Sequence, residues 1–177
     1  MIVHPIEPVF DKESEILILG SFPSVKSRES GFFYGHPQNR FWKVLSAVFD
    51  EHCPDTIDEK RSFLLKNHVA VWDVIASCDI NGSADSSIKN VCANDLNVIL
   101  DKADIRAIFV NGRTAEKMYM RYIEPKIKRT AICLPSTSPA NAAWSLERLI
   151  SEWKNKLMPT FFGNTDDRND FTDDGGG

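Results

Sequence analysis

The stretch ILILGSFPSVKSRESGFFYGHPQNRFWK, residues 16–43, decides how this chain folds. It starts with a continuous apolar run at residues 16–19, the pattern of a parallel strand that is buried on both faces. An amphipathic helix is predicted to begin near Asn39, and the polar loop between strand and helix carries several aromatic side chains. Loops longer than about 12–15 residues in compact domains are usually functional or disordered, and the aromatic residues argue against disorder. Because open α/β sheets bind ligands at the carboxyl ends of their strands, we expect this loop to form the ligand site.

Apolar runs alternate with amphipathic segments along the rest of the chain. Strands are predicted at residues 16–19, 69–72, 105–110 and 130–134. Helices are predicted from Asn39 onward, at residues 57–67, at residues 95–101, after a cap at Thr114, and after an N-cap at Ser138 followed by Pro139. Residues 1–14 are predicted to be extended, and residues 77–90 to be a polar region. This alternation predicts an α/β fold with three α/β/α layers and a central, mainly parallel four-stranded sheet.

Charge is distributed unevenly along the chain. The formal net charge is −4, and the residues from Gly163 onward hold five aspartates and one arginine, so residues 1–162 are formally neutral. A neutral body can still carry a local basic face, so the net charge neither supports nor excludes a DNA partner. Residues 163–177 contain few apolar side chains, which predicts an acidic, disordered tail behind a single domain at residues 1–162.

The cysteines and the apolar runs argue against a metalloprotein, a membrane protein and a secreted protein. Cys53, Cys78, Cys92 and Cys133 form no CxxC pair and have no histidine pair nearby, so we expect no metal and no cofactor. No apolar run approaches the roughly 18–20 residues that a bilayer span needs. The first residues lack a basic segment followed by an apolar one, the pattern of a secretory signal. These features predict a cytoplasmic protein with no membrane partner, and we expect a monomer.

Four polar segments follow the four predicted strands. They are the long loop after residue 19, the segment that starts at Asp73, the Asn111-Gly112 turn, and LPSTSPAN at residues 134–141. Because the carboxyl ends of parallel strands meet at one edge of a sheet, we expect these segments to lie together.

The order and the residues of these segments resemble those of the uracil-DNA glycosylase superfamily. GSFPS stands where these enzymes carry their first motif, and LPSTSPAN stands where they carry their second. The run FFYGHPQNRFWKVL is similar to the mismatch-specific uracil/thymine branch, and the combination resembles most closely the hypoxanthine-DNA glycosylase (DNA-deoxyinosine glycosylase) branch. The similarity covers about residues 15–157. It implies a uracil-DNA glycosylase-like fold, an enzyme that hydrolyses N-glycosidic bonds, and damaged double- or single-stranded DNA as the partner.

Two positions depart from the pattern of the uracil-removing branches. Those branches carry Asp or Asn within the first motif to position water, whereas this chain has Phe22 there. The uracil-specific branch opens its second motif with histidine, where this chain has Leu134. Both differences argue against strong uracil removal by the usual route.

The resemblance implies a role for the residues of the long loop. A base inside a duplex must be flipped into a pocket, and Tyr34, or else Phe22, is expected to stack on it. Backbone N–H groups at Ser21 and Phe22 are expected to stabilise the leaving base. Asn39 is the candidate that positions the attacking water, and the alternative is that it only caps the following helix. The other first-motif residues expected to bind substrate are Gly20, Pro23 and Ser24.

The remaining candidates each have a structural alternative. His36 would donate to the base or a phosphate, or would only order a His-Pro turn. Asp73 would read the base or act as a base catalyst, and Asn111 would bind a base edge, yet both residue types are common in turns. DNA contacts are expected from Ser136, Thr137, Ser138, Pro139 and Asn141, with Asn141 and Ala142 as a wedge that fills the space left by the base.

Three functions follow as alternatives. The first is a glycosylase for deaminated purines, hypoxanthine first. It is expected to be monofunctional because no lysine stands in a motif where a Schiff-base nucleophile is expected. The second is a mismatch-type uracil/thymine glycosylase. The third is a catalytically silent DNA- or nucleotide-binding module, which Phe22 keeps open because a fold does not guarantee a function.

Overall fold

A computed structural model describes residues 1–162 of the chain. The predicted acidic tail at residues 163–177 lies outside the described residues, and the domain boundary at residue 162 stays a prediction. Within the described part, every helix is too short or too polar to cross a bilayer.

Four parallel strands form the central sheet. They are β2 (Ile16–Gly20), β3 (Val69–Asp73), β6 (Ala107–Asn111) and β7 (Ile132–Leu134), in the order β3-β2-β6-β7. All three neighbouring pairs are parallel, and β2 lies inside the sheet with every residue buried. Central parallel strands are covered on both faces, which is why residues 16–19 are continuously apolar. The predicted α/β class and its mainly parallel four-stranded sheet are confirmed.

Seven helices of the described residues complete the fold. Their bounds are α1 (Val25–Ser30), α2 (Phe41–Val48), α3 (Ile57–Lys66), α4 (Asn97–Leu100), α5 (Arg113–Tyr122), α6 (Glu124–Ile127) and α7 (Leu146–Phe162). The helix α2 packs on α7, whereas α3 packs on β3 and α5 packs on β6. In α3, Thr56 and Glu59 form a capping box, which satisfies two N–H groups at the start of the helix. The aromatic side chains of α2 are buried because that helix lies between the long loop and α7.

A second sheet was not predicted from the sequence. It is antiparallel, in the order β1 (Ile2–Val3), β4 (Ile75–Asp79), β5 (Lys89–Ala93). The prediction that residues 77–90 form only a polar region was therefore wrong. The pairing of β4 with β5 contains register shifts and β5 has no fully buried residue, so the regular alternation that would reveal these strands is missing.

Two predicted helix starts were also wrong. The last helix begins at Leu146 and not at Ser138, and the Ser145 hydroxyl accepts a hydrogen bond from Arg148 N at 3.1 Å. The helix α5 begins at Arg113 with Gly112 as its N-cap, so Thr114 lies inside the first turn. Gly112 has φ of 95°, and a Cβ there would stand 2.9 Å from Ser136 Cβ, so the close approach of two strand ends requires glycine.

Candidate active site

The segments that follow β2, β3, β6 and β7 surround a cavity of about 410 Å³. From the long loop, the wall contains Gly20, Ser21, Phe22, Pro23, Ser24, Tyr34, His36 and Asn39. From the other strand ends, it contains Asp73, Asn111, Ser136, Thr137, Ser138 and Pro139. All residues predicted for the site lie in the described part of the chain, and all except Asn141 and Ala142 line this cavity. Their chemical roles stay predictions.

A chain of serine hydrogen bonds shapes the long loop. Ser24 caps α1 by accepting from Ser27 N at 3.1 Å, and its hydroxyl donates to Ser27 Oγ at 3.1 Å. The buried Ser27 Oγ in turn accepts from Gly35 N at 2.9 Å, which joins the start of α1 to the segment before Asn39. Ser27 was not among the predicted residues, and Ser24 is occupied in capping. These bonds therefore hold the loop in the conformation that surrounds the cavity.

Tyr34 lies on the cavity wall in a constrained conformation. Its ring stacks on that of the fully buried Phe41, with centroids 4.0 Å apart and planes 12° apart. Its backbone is left-handed, with φ of 52°, which is costly for an aromatic residue and is characteristic of functional sites. Its hydroxyl is buried and bonds no partner within the described residues. Burial raises the pKa of this phenol, the nearby Asp73 charge raises it further, and the neighbouring Asn111 side chain lowers it in part.

Three side chains from three segments form a hydrogen-bonded series across the cavity floor. Asn111 accepts from Thr137 N at 3.1 Å and donates from Nδ2 to Thr137 Oγ1 at 3.0 Å. The Thr137 hydroxyl then donates to Asn39 Oδ1 at 2.9 Å. Thr137 is fully buried, so this series couples the second-motif segment to the long loop in a region with little water.

The amide orientation of Asn39 follows from its partners. Oδ1 accepts from Phe41 N at 2.9 Å, and a backbone N–H can only donate, so the oxygen must face α2. With the Thr137 hydroxyl also bonded, both lone pairs of Oδ1 are in use. No acceptor within residues 1–162 bonds Nδ2, so the amide N–H groups are what Asn39 offers to the cavity.

Asn39 performs only part of the alternative role, that of a helix cap. The N-cap position of α2 is Arg40 and not Asn39, and Arg40 makes no side-chain cap bond. Asn39 nevertheless satisfies the first N–H of the helix. Oδ1 is therefore structural, and Nδ2 is the atom that remains for a ligand in the cavity that Asn39 lines.

Asp73 ends β3 beside the first motif and has a partner that the sequence did not reveal. Its carboxylate Oδ2 lies 2.7 Å from His4 Nε2, and both side chains are about 95% buried. His4 lies in the extended segment before β2, far from Asp73 in the sequence, so no local motif indicated this contact. A Cβ on Gly20 would overlap Asp73 Oδ1 and stand 3.0 Å from the Tyr34 hydroxyl, so only glycine allows these groups to approach.

His36 is half-buried in the turn that precedes α2. Its Nδ1 accepts from Gln38 N at 3.1 Å, and its carbonyl accepts from Asn39 N at 3.0 Å. Because Nδ1 accepts, Nε2 is the nitrogen that can donate to a ligand. The structure thus contains the predicted turn and leaves one donor available for the proposed role.

Arg40 holds the second-motif segment in place and was not predicted. Its guanidinium donates to the carbonyls of Ser138 and Asn141, each at 3.1 Å, and also to the carbonyl of Trp144. Residues 138–144 form turns in which Asn141 N donates to the Ser138 carbonyl at 3.0 Å and Trp144 N donates to the Asn141 carbonyl at 3.3 Å, and Arg40 bonds the same carbonyls. The Ser138 hydroxyl accepts from Ala140 N at 3.2 Å, so the hydroxyl that suggested a helix cap stabilises one of these turns.

Asn141 lies just outside the cavity wall. Its Nδ2 donates to the Ser136 carbonyl at 3.0 Å, which braces the turn from within. The predicted wedge at Asn141 and Ala142 stays a prediction.

A further part of the wall comes from the connection between β4 and β5. Ile80, Ser83, Ala84 and Asp85 line the cavity there. Ser83 Oγ accepts from Val25 N at 2.9 Å, and Arg28 donates to the Gly82 carbonyl at 2.6 Å, so α1 holds this connection against the site. The sequence did not indicate it because the strands that place it were not recognised. No group of three or more His, Cys, Asp or Glu side chains suited to a metal ion occurs within residues 1–162.

Comparisons with known proteins agree with this geometry. The family model described as the uracil DNA glycosylase superfamily matches residues 7–160. A protein of Methanosarcina acetivorans named hypoxanthine DNA glycosylase is 36% identical over 156 residues, which are 87% of this chain and 97% of the relative. A protein of the same name from Methanosarcina barkeri is 33% identical over 148 residues, 82% of this chain and 92% of the relative.

A solved structure is similar over nearly its full length. It is a solution NMR structure from Methanosarcina acetivorans, provisionally described as a uracil DNA glycosylase, with a TM-score of 0.77 and 32% identity. The match covers 91% of this chain and 99% of the other. With the fold, the motif segments and the cavity at the strand ends all in agreement, the chain belongs to the uracil DNA glycosylase superfamily.

Proposed function

We propose that this chain is a monofunctional DNA glycosylase that flips a deaminated base out of DNA and hydrolyses its N-glycosidic bond, with hypoxanthine as the main substrate. The observation that carries the proposal is the series Asn111–Thr137–Asn39, which holds an amide donor at the cavity although the first motif has Phe22 in place of Asp or Asn. Two relatives named hypoxanthine DNA glycosylase, similar over most of the chain, support the choice of base.

The cavity is suited to a base outside the helical stack. Its volume of about 410 Å³ falls within the range of roughly 300–1,000 Å³ that is typical of small-molecule sites. Phe22, Phe33 and Tyr34 supply aromatic surface on its wall. A flipped base stacks between such side chains while polar groups read its edge. The stacking of Tyr34 on Phe41 keeps that ring in place before DNA arrives.

Asn39 acts on the attacking water through its amide hydrogens. The bonds to Phe41 N and Thr137 Oγ1 direct Nδ2 toward the cavity. A water that accepts from Nδ2 keeps its second lone pair for the anomeric carbon of an oxocarbenium-like sugar. Such a sugar is strongly electrophilic, so holding the water in position contributes more than removing its proton.

The departing base carries negative charge that the first motif can stabilise. The backbone N–H groups near Ser21 and Phe22 stand at the carboxyl end of β2, and Ile75 N donates to the Ser21 carbonyl at 3.1 Å, which fixes this peptide. Preorganised donors of this kind are often the largest single contribution to catalysis. No lysine lines the described cavity wall, which supports hydrolysis without a Schiff-base intermediate and without strand cleavage. Action as a monomer in the cytoplasm stays a prediction, as does the preferred strandedness of the DNA.

A strand-cleavage assay tests the proposal. End-labelled duplexes that contain one deoxyinosine, one deoxyuridine or no lesion are incubated with the protein and then treated with alkali, which cuts at abasic sites. Cleavage at deoxyinosine that requires alkali is the expected result. Cleavage at deoxyuridine alone would favour the mismatch-type activity, and binding without any cleavage would favour a silent module. Cleavage without alkali would contradict the prediction that the enzyme leaves the strand intact.

A further inference from the structure

The two oxygens of the Asp73 carboxylate have different surroundings. Oδ2 is bonded to His4 Nε2 at 2.7 Å. Oδ1 lies against Gly20 on the cavity wall, and no donor within residues 1–162 bonds it. Oδ2 is therefore hydrogen-bonded within the protein, and Oδ1 is an acceptor available to a base in the cavity.

His4 is held so that it donates to Asp73. Its Nδ1 accepts from Ile6 N at 3.2 Å, so the neutral ring carries its hydrogen on Nε2, the atom that faces Asp73 Oδ2. The imidazole ring packs against two aromatic side chains. Its centroid lies 5.8 Å from that of Phe22, in an edge-to-face contact, and 6.1 Å from that of Phe33. These contacts restrict the ring, so it fixes the rotation of the carboxylate as well as bonding it.

We propose that His4 is a positioning residue that presents Asp73 Oδ1 as a fixed acceptor, and that this acceptor selects bases carrying a ring N–H on the edge that enters the cavity. The inference rests on the proposed function and names the chemical feature of the base that the site reads. Deamination changes that feature directly. Adenine has a bare N1 that accepts hydrogen bonds, whereas hypoxanthine has an N1–H that donates, and cytosine and uracil differ in the same way at N3.

An ionised carboxylate offers only acceptors, so it distinguishes these two states of a ring nitrogen. An N1–H facing Oδ1 forms a charge-assisted hydrogen bond, which is stronger than a neutral one. A bare ring nitrogen would put its lone pair against that of a carboxylate whose side chain is about 95% buried, and that arrangement is penalised. A carboxylate at this strand end thus favours hypoxanthine over adenine, and uracil over cytosine.

The test measures binding, so that it does not depend on the catalytic step. The probes are duplexes with one 2′-fluoro-deoxyinosine or one 2′-fluoro-deoxyadenosine, whose fluorine resists cleavage by destabilising an oxocarbenium-like sugar. The quantity measured is the ratio of the two dissociation constants. Wild-type protein is expected to favour the inosine probe by at least about tenfold, the lower end for a hydrogen bond to a charged group.

Two substitutions of His4 form a matched pair. In His4→Gln the amide nitrogen can occupy the place of Nε2 and still donate to Asp73, whereas in His4→Asn the shorter amide cannot reach it. We expect His4→Asn to lose most of the preference for inosine and His4→Gln to keep it within about threefold of the wild-type ratio. A general structural role for His4 would not separate the two variants in this ratio.

Asp73→Asn provides a second test if a His4 variant unfolds, because the change is nearly isosteric. The His4 N–H requires the amide oxygen of Asn at that place, so the amide nitrogen would face the cavity as a donor. The inosine preference should then disappear or reverse. Equal binding of both probes by wild type, an unchanged ratio in His4→Asn or Asp73→Asn, or equal losses in His4→Gln and His4→Asn would overturn the inference.

Cleavage of a natural deoxyinosine duplex by wild type is measured in parallel. If the protein fails to cleave it but shows the expected binding ratios, the proposed function fails and the recognition by Asp73 stands. If it cleaves the duplex but the ratios do not respond, the inference fails and the function stands.

Discussion

The hydroxyl of Thr137 donates to Asn39 Oδ1 at 2.9 Å, although the two residues are 98 positions apart in the chain. This bond joins the two motif segments at the cavity and determines which end of the Asn39 amide faces it. Since the first motif has Phe22 in place of Asp or Asn, we propose that Asn39, in the turn before α2, holds the water instead. The relationship separates the structural atom of Asn39 from the atom proposed to act on substrate.

Substitutions of Asn39 distinguish these two atoms. Asn39→Asp keeps an acceptor for Phe41 N but removes the amide hydrogens, whereas Asn39→Ala removes both. We expect both variants to lose about 10²–10³-fold in the single-turnover rate constant on a deoxyinosine duplex, as when one catalytic donor is deleted. Thermal unfolding should show a loss of about 1 kcal/mol for Asn39→Ala and less for Asn39→Asp. Near-normal cleavage by Asn39→Asp would mean that the amide donor is not required.

Thr137 can be changed without altering the shape of the site. Thr137→Val should lower the single-turnover rate by about tenfold while DNA affinity changes little, because Asn39 loses one of its two restraints. It should also cost about 1–3 kcal/mol of stability, since the Asn111 amide loses its acceptor. Thr137→Ser is the control, because it keeps the hydroxyl. If Ser and Val behave alike in the kinetic assay, the hydrogen bond does not orient Asn39.

Gly20 is the point where the side chains of Asp73 and Tyr34 approach the backbone. In Gly20→Ala the new methyl group would overlap the Asp73 carboxylate. We expect affinity for a non-cleavable inosine duplex to fall by about tenfold or more, while affinity for an undamaged duplex is kept, because the methyl group disturbs the base site and not the phosphate contacts. Parallel losses on both duplexes, followed by fluorescence anisotropy, would show that Gly20 supports the fold and not the base site.

Tyr34 is expected to show opposite effects on stability and on activity. Its hydroxyl is buried and bonds no partner within residues 1–162, so Tyr34→Phe should raise the free energy of unfolding by about 1 kcal/mol, the lower end of the desolvation cost of such a group. If the hydroxyl bonds the flipped base, the same change should reduce cleavage of deoxyinosine. Denaturant unfolding and single-turnover kinetics on one preparation measure both. A less stable variant would indicate that the hydroxyl already has a partner in the free protein.

The second-motif serines are expected to contact phosphates. Since α7 begins at Leu146 and not at Ser138, these serines lie outside that helix, and we expect the contact to come from the turns that hold them. Ser136→Ala combined with Ser138→Ala should weaken binding to any duplex, with or without a lesion, by a similar factor. A loss that appears only on inosine-containing DNA would instead assign these serines to the base.

The sequence by itself determined the sheet and the edge at which the site lies. Residues 16–19 and 69–72 are apolar without alternation, which is the pattern of short strands covered on both faces. Parallel strands place their carboxyl ends together, so the motif segments after them had to meet. The family motifs added the candidates, and nearly all of them line one cavity.

Tertiary structure alone decided the contacts that join distant segments. His4 reaches Asp73 across 69 positions, and Arg40 reaches carbonyls about a hundred positions away. Capping and turn signals describe only neighbouring residues, so Ser138-Pro139 predicted a helix start where Arg40 instead holds a series of turns. The antiparallel sheet was hidden for a related reason. Its short strands have shifted registers and exposed faces, so their pairing depends on the packed body of the protein and not on a local pattern.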